Sequence, residues 1–165
     1  MARAVLIGLP GCGKTTMARA LAASWGCDVV DTDEVLSASV TMSAAQYLRS
    51  HGEDDFRREE VAALRAALAC DAVVATGGGI VVSDAARELL KQQTTVWLDC
   101  DNDVLLARLD EGDRPLLGDE PVTALARLRR ERETWYRDVA STRVDAAGDV
   151  DEVLARLREA LEVAR

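Results

Sequence analysis

Gly8-Leu9-Pro10-Gly11-Cys12-Gly13-Lys14-Thr15 follows the apolar run Ala4-Val5-Leu6-Ile7 and precedes the helical pattern Thr16-Met17-Ala18-Arg19-Ala20-Leu21. The apolar run is short and branched enough for a buried strand. The glycines free the next residues to curl, so that successive backbone N–H groups face one phosphate chain. A helix starting there aims its positive end at the same anion. The expected nucleotide contacts are therefore Gly11, Cys12, Gly13, Lys14, Thr15 and Thr16. Lys14 would reach the β- and γ-phosphates, and the Thr15 hydroxyl would join the coordination shell of Mg²⁺.

The chain has 165 residues, 48% hydrophobic and 30% charged, which suits one domain with a substantial core. Its net charge of −9 argues against a nucleic-acid or anionic-membrane partner, since either would be repelled beyond the immediate site. Anionic ligands must be met by local cations. The cysteines Cys12, Cys27, Cys70 and Cys100 form no CxxC pair, the usage expected of reduced thiols rather than a disulfide framework or zinc site. No apolar stretch approaches membrane length, and the apolar start is too short for a secretory segment. The cytoplasm is the expected compartment.

Further along, Asp28-Val29-Val30 reads as a strand delivering Asp31-Thr32-Asp33 at its carboxyl end, the edge where ligands bind in open α/β sheets. Ser43 is placed to cap a helix closed by His51-Gly52, and Asp54 opens a longer one with Phe56, Val61, Leu64 and Leu68 on its apolar face. Ala72-Val73-Val74-Ala75 is a buried strand ending in Thr76-Gly77-Gly78-Gly79, a second loop that backbone or ligand can approach closely. Ser83 or Asp84 caps the next helix, and Thr94 to Leu98 is the next strand. After a helix from Asn102 to about Leu109 comes the polar stretch of residues 110–121, punctuated by glycine and proline, with the composition of a lid. An arginine-rich helix from about Val122 to Arg137, a strand near residues 141–144 and a closing helix from about Val150 complete the chain. Strand and helix alternate about five times, which predicts an α/β/α sandwich with a parallel five-stranded sheet covered on both faces.

Phosphoryl transfer needs charge to hold phosphates, a metal, and a group that orients the attacking oxygen. Asp31 and Asp33 occupy alternate positions after a strand and should diverge, one toward metal-bound water and the other toward the acceptor. Asp33 can accept the proton of a substrate hydroxyl; it can also serve as the N-cap of the helix that follows. Arg57 and Glu60 share a helix face and could form a fork for a substrate carboxylate, or only a solvated helical pair, as Arg58 and Glu59 suggest for themselves. Arg132 cannot be singled out from its arginine-rich helix by spacing. Arg114, alone in the lid, is placed to neutralise the transferring phosphate on closure. His51 reads as a helix-end residue, and Trp97, Trp135 and Tyr136 as packing. A competing reading makes Asp99, after the apolar strand, the Mg²⁺ ligand of a nucleotide-driven switch.

These motifs, in this order, resemble the shikimate kinase family along nearly the whole chain. They are the loop from Gly8, Asp31-Thr32-Asp33, Gly52-Glu53 with Phe56-Arg57 and Glu60, the triple glycine from Gly77, Arg114-Pro115-Leu116-Leu117, and Arg132 before Tyr136. The resemblance implies a P-loop, nucleoside-monophosphate-kinase-like fold with a short lid, and ATP-dependent phosphorylation of the 3-hydroxyl of shikimate with Mg²⁺; a monomer is the expected state. It further implies that Asp33 holds the ring hydroxyls and acts as base, that Arg57 and Arg132 clamp the carboxylate, and that Gly78, with Gly79, offers backbone N–H to the acceptor. By the same likeness Asp31 acts on Mg²⁺ through water, Lys14 and Arg114 act on the phosphates, and Arg108 flanks adenine. A kinase for another polyol acid such as gluconate would share the loop but has no need of both arginines and the triple glycine.

The chain departs from the family at two places. Cys12 stands where serine or alanine is common, and Asp145-Ala146-Ala147-Gly148-Asp149 lacks the arginine and proline often found in the adenine loop. A thiol between two glycines at a helix N-terminus is expected to be open to oxidants and alkylating reagents when no nucleotide covers it.

Overall fold

The computed structural model describes residues 1–110 and 120–163. Five strands, β1 (Ala4–Ile7), β2 (Asp28–Asp31), β3 (Ala72–Ala75), β4 (Thr95–Asp99) and β5 (Thr142–Asp145), form one sheet in the order β2-β3-β1-β4-β5. Every pairing is parallel, with Val5 opposite Val74 on one side and Thr95 on the other. All residues of β1, β3 and β4 are buried, as continuous apolar runs require when helices cover both faces. The edge strands β2 and β5 carry the exposed charges Asp28, Arg143 and Asp145.

Among the described residues the helices are α1 (Lys14–Trp25), α2 (Thr32–Val40), α3 (Ala44–His51), α4 (Glu53–Ala69), α5 (Asp84–Leu90), α6 (Asn102–Asp110), α7 (Pro121–Val139) and α8 (Val150–Val163), with a 3₁₀ turn at Ile80–Val82. Helices α1 and α8 pack together over β3 and β5, while α4, α5 and α7 form a second contiguous layer against β3 and β4. Because β1 lies between β3 and β4, the loops that follow these strands meet at one sheet edge, where the connections diverge to opposite faces.

Local signals set several boundaries. Ser43 caps α3 in a reciprocal box with Gln46, each accepting the other's backbone N–H, at 3.2 and 3.0 Å. His51 closes that helix with its ring stacked 4.1 Å from that of Tyr47. In α4 the buried stripe is Phe56, Glu60, Ala63, Leu64, Ala67 and Leu68; a carboxylate therefore occupies a position that helical periodicity reserves for apolar residues. Leu36, Phe56 and Ala63, backed by Val35, Val40, Ala44 and Tyr47, form a small cluster separate from the main core. Residues of α2, α3 and α4 thus pack around a centre of their own beside the sheet.

Helix α7 begins with Glu120 as N-cap and Pro121 in its first turn. Its inward stripe is Leu125, Arg129, Arg132, Tyr136 and Val139, at helical spacing, whereas Arg127, Arg130 and Arg137 are exposed. Strand β4 extends one residue beyond the expected Leu98, so Asp99 is itself in the sheet and only 4% exposed. Its Oδ1 accepts from Arg129 Nη1 at 2.8 Å and its Oδ2 from Arg143 Nη2 at 2.6 Å. Arg129 also donates to Asn102 Oδ1 and to the Cys100 carbonyl. With both carboxylate oxygens held by guanidinium groups, Asp99 is an ion-pair centre joining β4, α6, α7 and β5, and the alternative of Asp99 as a Mg²⁺ ligand is overturned. Of the anticipated lid over residues 110–121, centred on Arg114, residues 111–119 lie outside the described residues, while Asp110 ends α6 and Glu120 and Pro121 open α7.

Asp99 is nearly sealed from water, and losing Arg129 would leave it only the largely exposed Arg143 as a cationic partner. Arg129→Ala should destabilise the protein by about 3 kcal/mol, measured by urea denaturation at neutral pH.

Candidate active site

The loop after β1 takes its shape from glycines with positive φ, at 147° for Gly8, 81° for Gly11 and 89° for Gly13. At Gly8 a side chain is also excluded by space, because a Cβ would lie 2.3 Å from the Leu98 carbonyl oxygen of β4. Lys14 is the first residue of α1, and its Nζ donates to the Gly8 and Leu9 carbonyls, both at 3.0 Å. These bonds hold a nearly buried ammonium at the loop. The Thr15 hydroxyl donates to Asp31 Oδ2 at 2.8 Å, so the two expected metal residues are adjacent. The other oxygen of Asp31 accepts from the Asp33 N–H at 2.9 Å and caps α2. The N-cap role considered for Asp33 thus belongs to Asp31, because the helix starts at Thr32, and the Asp33 carboxylate is left for other work.

Gly77, Gly78 and Gly79 each make room for a group from a different element. A Cβ on Gly77 would lie 2.7 Å from Asp33 Oδ1, on Gly78 2.9 Å from Pro10 Cδ, and on Gly79 2.7 Å from Arg57 Nη1. The carbonyls of this loop are used as closely. Arg57 Nη1 donates to Gly79 O at 3.3 Å, and Gly78 O accepts from Arg132 Nη1 at 3.0 Å and from the Tyr136 hydroxyl at 2.5 Å. Buried Thr32 accepts the Gly77 N–H at 3.1 Å, and Thr76 donates its hydroxyl to Leu6 O at 3.1 Å, which ties β3 to β1 at the base of the site. Asp33, Arg57, Arg132, Gly78 and Gly79 are therefore brought together beside the phosphate loop.

Charge is concentrated here. Glu60, 5% exposed, accepts from Arg57 Nη1 at 2.5 Å. Burial pushes its pKa up against the pull of Arg57, with Asp33 pushing further and Arg132 pulling down. Asp33 is exposed, with the Gly77 backbone, Asp31 and Lys14 as near neighbours. Loss of hydration, then the Asp31 charge, raise its pKa, and Lys14 lowers it. The mutual influence of these groups places all of them in one electrostatic neighbourhood.

On the nucleotide side, Arg108 Nη2 donates to Ala146 O at 2.7 Å and Gly148 O at 3.2 Å, while its Nη1 reaches Cys12 O at 3.4 Å. Arg108 so bridges the phosphate loop and the loop after β5, and together with Thr16, Val150 and Val153 they line a cavity of about 600 Å³, within the range of small-ligand sites. The 145–149 loop, though unlike the family pattern in sequence, is held by Arg156 donating to Asp145 O and Ala147 O and by reciprocal bonds between Asp149 and Glu152.

Several positions carry roles that spacing did not reveal. Thr32 and Tyr136 fix the second glycine loop, and Arg129 anchors α7. Their signal was position on an inward stripe, readable for Arg129, Arg132 and Tyr136 only by extending the period from Leu125 to Val139. Trp97 packs in the core, its ring 5.9 Å from that of Tyr136, and Trp135 lies under the Arg87 guanidinium.

A phosphate loop and a second glycine loop, with one carboxylate and two arginines between them, define a P-loop kinase of small molecules. The family model for shikimate kinase matches residues 10–162, and the chain belongs to the shikimate kinase family. A shikimate kinase of Frankia casuarinae is 42% identical over 95% of this chain and 71% of its own length. Shikimate kinase 2 of Shigella boydii is 36% identical over 94% and 93%. The solved structure of shikimate kinase from Acinetobacter baumannii in complex with shikimate superposes with a TM-score of 0.86 at 30% identity, covering 98% of this chain and 93% of that one. A gluconokinase from Sinorhizobium meliloti, at 17% identity and a TM-score of 0.67 over 97% of this chain and 91% of that one, shares the fold alone.

The expectation of an accessible Cys12 does not hold. Its side chain is 1% exposed and points inward, against the backbone of Gly8 and within 3.7 Å of Lys14 Nζ. Cys100 is also buried, its pKa pushed up to about 11 chiefly by loss of hydration, whereas Cys70 is exposed. Iodoacetamide should therefore label Cys70 and spare Cys12 and Cys100 with or without ATP, as read by peptide mass spectrometry.

Proposed function

We infer that this chain transfers the γ-phosphoryl group of ATP to the 3-hydroxyl of shikimate, giving shikimate 3-phosphate and ADP on the route to chorismate and the aromatic amino acids. The observation that carries this reading is the convergence of Asp33, Arg57 and Arg132 on three consecutive glycines beside the phosphate loop. Family membership and the shikimate-bound relative support the choice of acceptor.

In this reading residues 1–165 form one kinase domain, with its acceptor-binding part at about 32–60 and a lid at about 110–121. The acceptor lies on the loop Gly77–Gly79, its carboxylate between Arg57 and Arg132. Arg57 Nε, buried and without a partner among the described residues, supports a ligand on that side. Asp33 aligns the ring hydroxyl and takes its proton as the oxygen attacks the γ-phosphorus; the β–γ bridging oxygen leaves with ADP. Backbone of Gly11, Cys12 and Gly13 with Thr16 cradles the phosphates, Lys14 and Arg114 neutralise charge developing on the transferred group, and Arg108 lies against the base. The adjacent Thr15 hydroxyl and Asp31 carboxylate suit a hard divalent cation, Asp31 acting through water. Held by Thr15 and Asp31, Mg²⁺ would supply positive charge against the phosphates. The protein acts as a cytoplasmic monomer with no nucleic-acid or membrane partner; no described helix is long and apolar enough to cross a membrane.

ADP release should depend on shikimate and should not be supported by gluconate. Turnover without an acceptor, or equal turnover with gluconate, would refute the assignment. Asp33→Asn should lower kcat by about 10²- to 10⁴-fold with folding intact. Because the folded protein raises the Asp33 pKa, the carboxylate opposes folding at neutral pH, and stability is regained as pH falls through that raised value. Asp33→Asn should therefore melt higher than wild type at pH 7, with the gain gone below the ordinary 3.8. For the same reason wild-type kcat/KM should fall on acidification at a pH above the ordinary aspartate value.

A further inference from the structure

The Gly78 carbonyl has two donors, and both come from α7. Arg132 Nη1 lies at 3.0 Å and the Tyr136 hydroxyl, one turn further along, at 2.5 Å. Tyr136 is 1% exposed, its ring packed on Trp97, so its hydroxyl has little freedom to turn away. Arg132 is only partly buried, so its guanidinium can be reached by a ligand. The Gly78–Gly79 peptide is trans, so a carbonyl turned toward α7 sends the Gly79 N–H the opposite way. Neither the Gly78 nor the Gly79 N–H has an acceptor among the described residues.

We propose that Tyr136 is a positioning residue for the acceptor: its hydroxyl holds the Gly78 carbonyl while Arg132 leaves that carbonyl for the substrate carboxylate. This rests on the carboxylate clamp proposed above. A carboxylate draws the guanidinium strongly, and a carbonyl abandoned in a partly buried loop would lose its bond or rotate its peptide. With Tyr136 in place the carbonyl stays satisfied and the Gly79 N–H stays aimed. Without the hydroxyl, Arg132 must choose between carbonyl and substrate, and the choice is a penalty specific to acceptors that carry the negative charge.

Tyr136→Phe keeps the ring and removes only the donor. Its KM for shikimate should rise roughly fivefold, the effect of one ordinary hydrogen bond, with kcat and the KM for ATP unchanged. With the analogue in which CH₂OH replaces the carboxylate, variant and wild type should have equal KM, because Arg132 is not drawn away. A rise of the same size for both acceptors would reduce Tyr136 to a structural role, and no rise for shikimate would overturn the proposal outright. Wild-type protein that fails to phosphorylate shikimate at all would instead refute the assigned reaction. Should the variant not fold, the wild type decides the question by NMR: the phenolic proton of Tyr136 should give a slowly exchanging downfield resonance that survives saturation with shikimate. Its disappearance on saturation would overturn the proposal.

Discussion

At Gly78 the second glycine loop rests against the proline ring of the phosphate loop, closely enough that a Cβ would lie 2.9 Å from Pro10 Cδ. That contact sets the separation between the two halves of the site. With the loops touching, a nucleotide held after β1 and an acceptor held after β3 lie side by side, as in-line transfer between them requires. The flanking glycines extend the constraint: Gly77 admits the Asp33 carboxylate and Gly79 the Arg57 guanidinium, so the place proposed for the acceptor would be built from backbone on one side and from side chains of α2 and α4 on the other.

The electrostatics follow from the same closeness. The chain as a whole is strongly acidic, with a net charge of −9, yet both reactants are anions. In the proposed reading Lys14, Arg57, Arg108 and Arg132 would meet that demand at short range, where the local field outweighs distant charge. Two acidic groups are retained among them. Glu60 sits in the apolar stripe of α4 and is tolerable there because Arg57 bonds it; in return it fixes which way the arginine points. Asp33 has no cationic bond among the described residues, and loss of hydration, then the Asp31 charge, raises its pKa against the pull of Lys14. A carboxylate made uncomfortable by its surroundings is a better proton acceptor than one locked in an ion pair.

Helix α7 links support to chemistry. Leu125 and Val139 seat it in the core, Arg129 ties it to the buried Asp99, and Arg132 and Tyr136 reach the glycine loop from the turns that follow. Moving the helix would therefore disturb the sheet edge and the acceptor side together. The small cluster around Leu36 and Phe56 supports the opposite wall formed by α2, α3 and α4, apart from the main core.

Elements and strand direction were legible from residues 1–165 alone, because helical and strand periodicities and capping bonds act over a few neighbours in the chain. The phosphate loop was legible for the same reason: its glycines and lysine work through backbone adjacent to them. The three glycines after β3 announced a close approach but not what approaches, since Asp33, Pro10 and Arg57 arrive from other elements. Ion pairing of Asp99, the inward turn of the Cys12 thiol, the cap on α2, and the choice of Arg132 over its neighbours were decided only in three dimensions. For Asp99 and Arg132 the deciding partner is distant in sequence, whereas the α2 cap and the Cys12 thiol are set by near neighbours whose backbone direction spacing does not give; burial then determines whether a charge must be paired or can be left for a ligand.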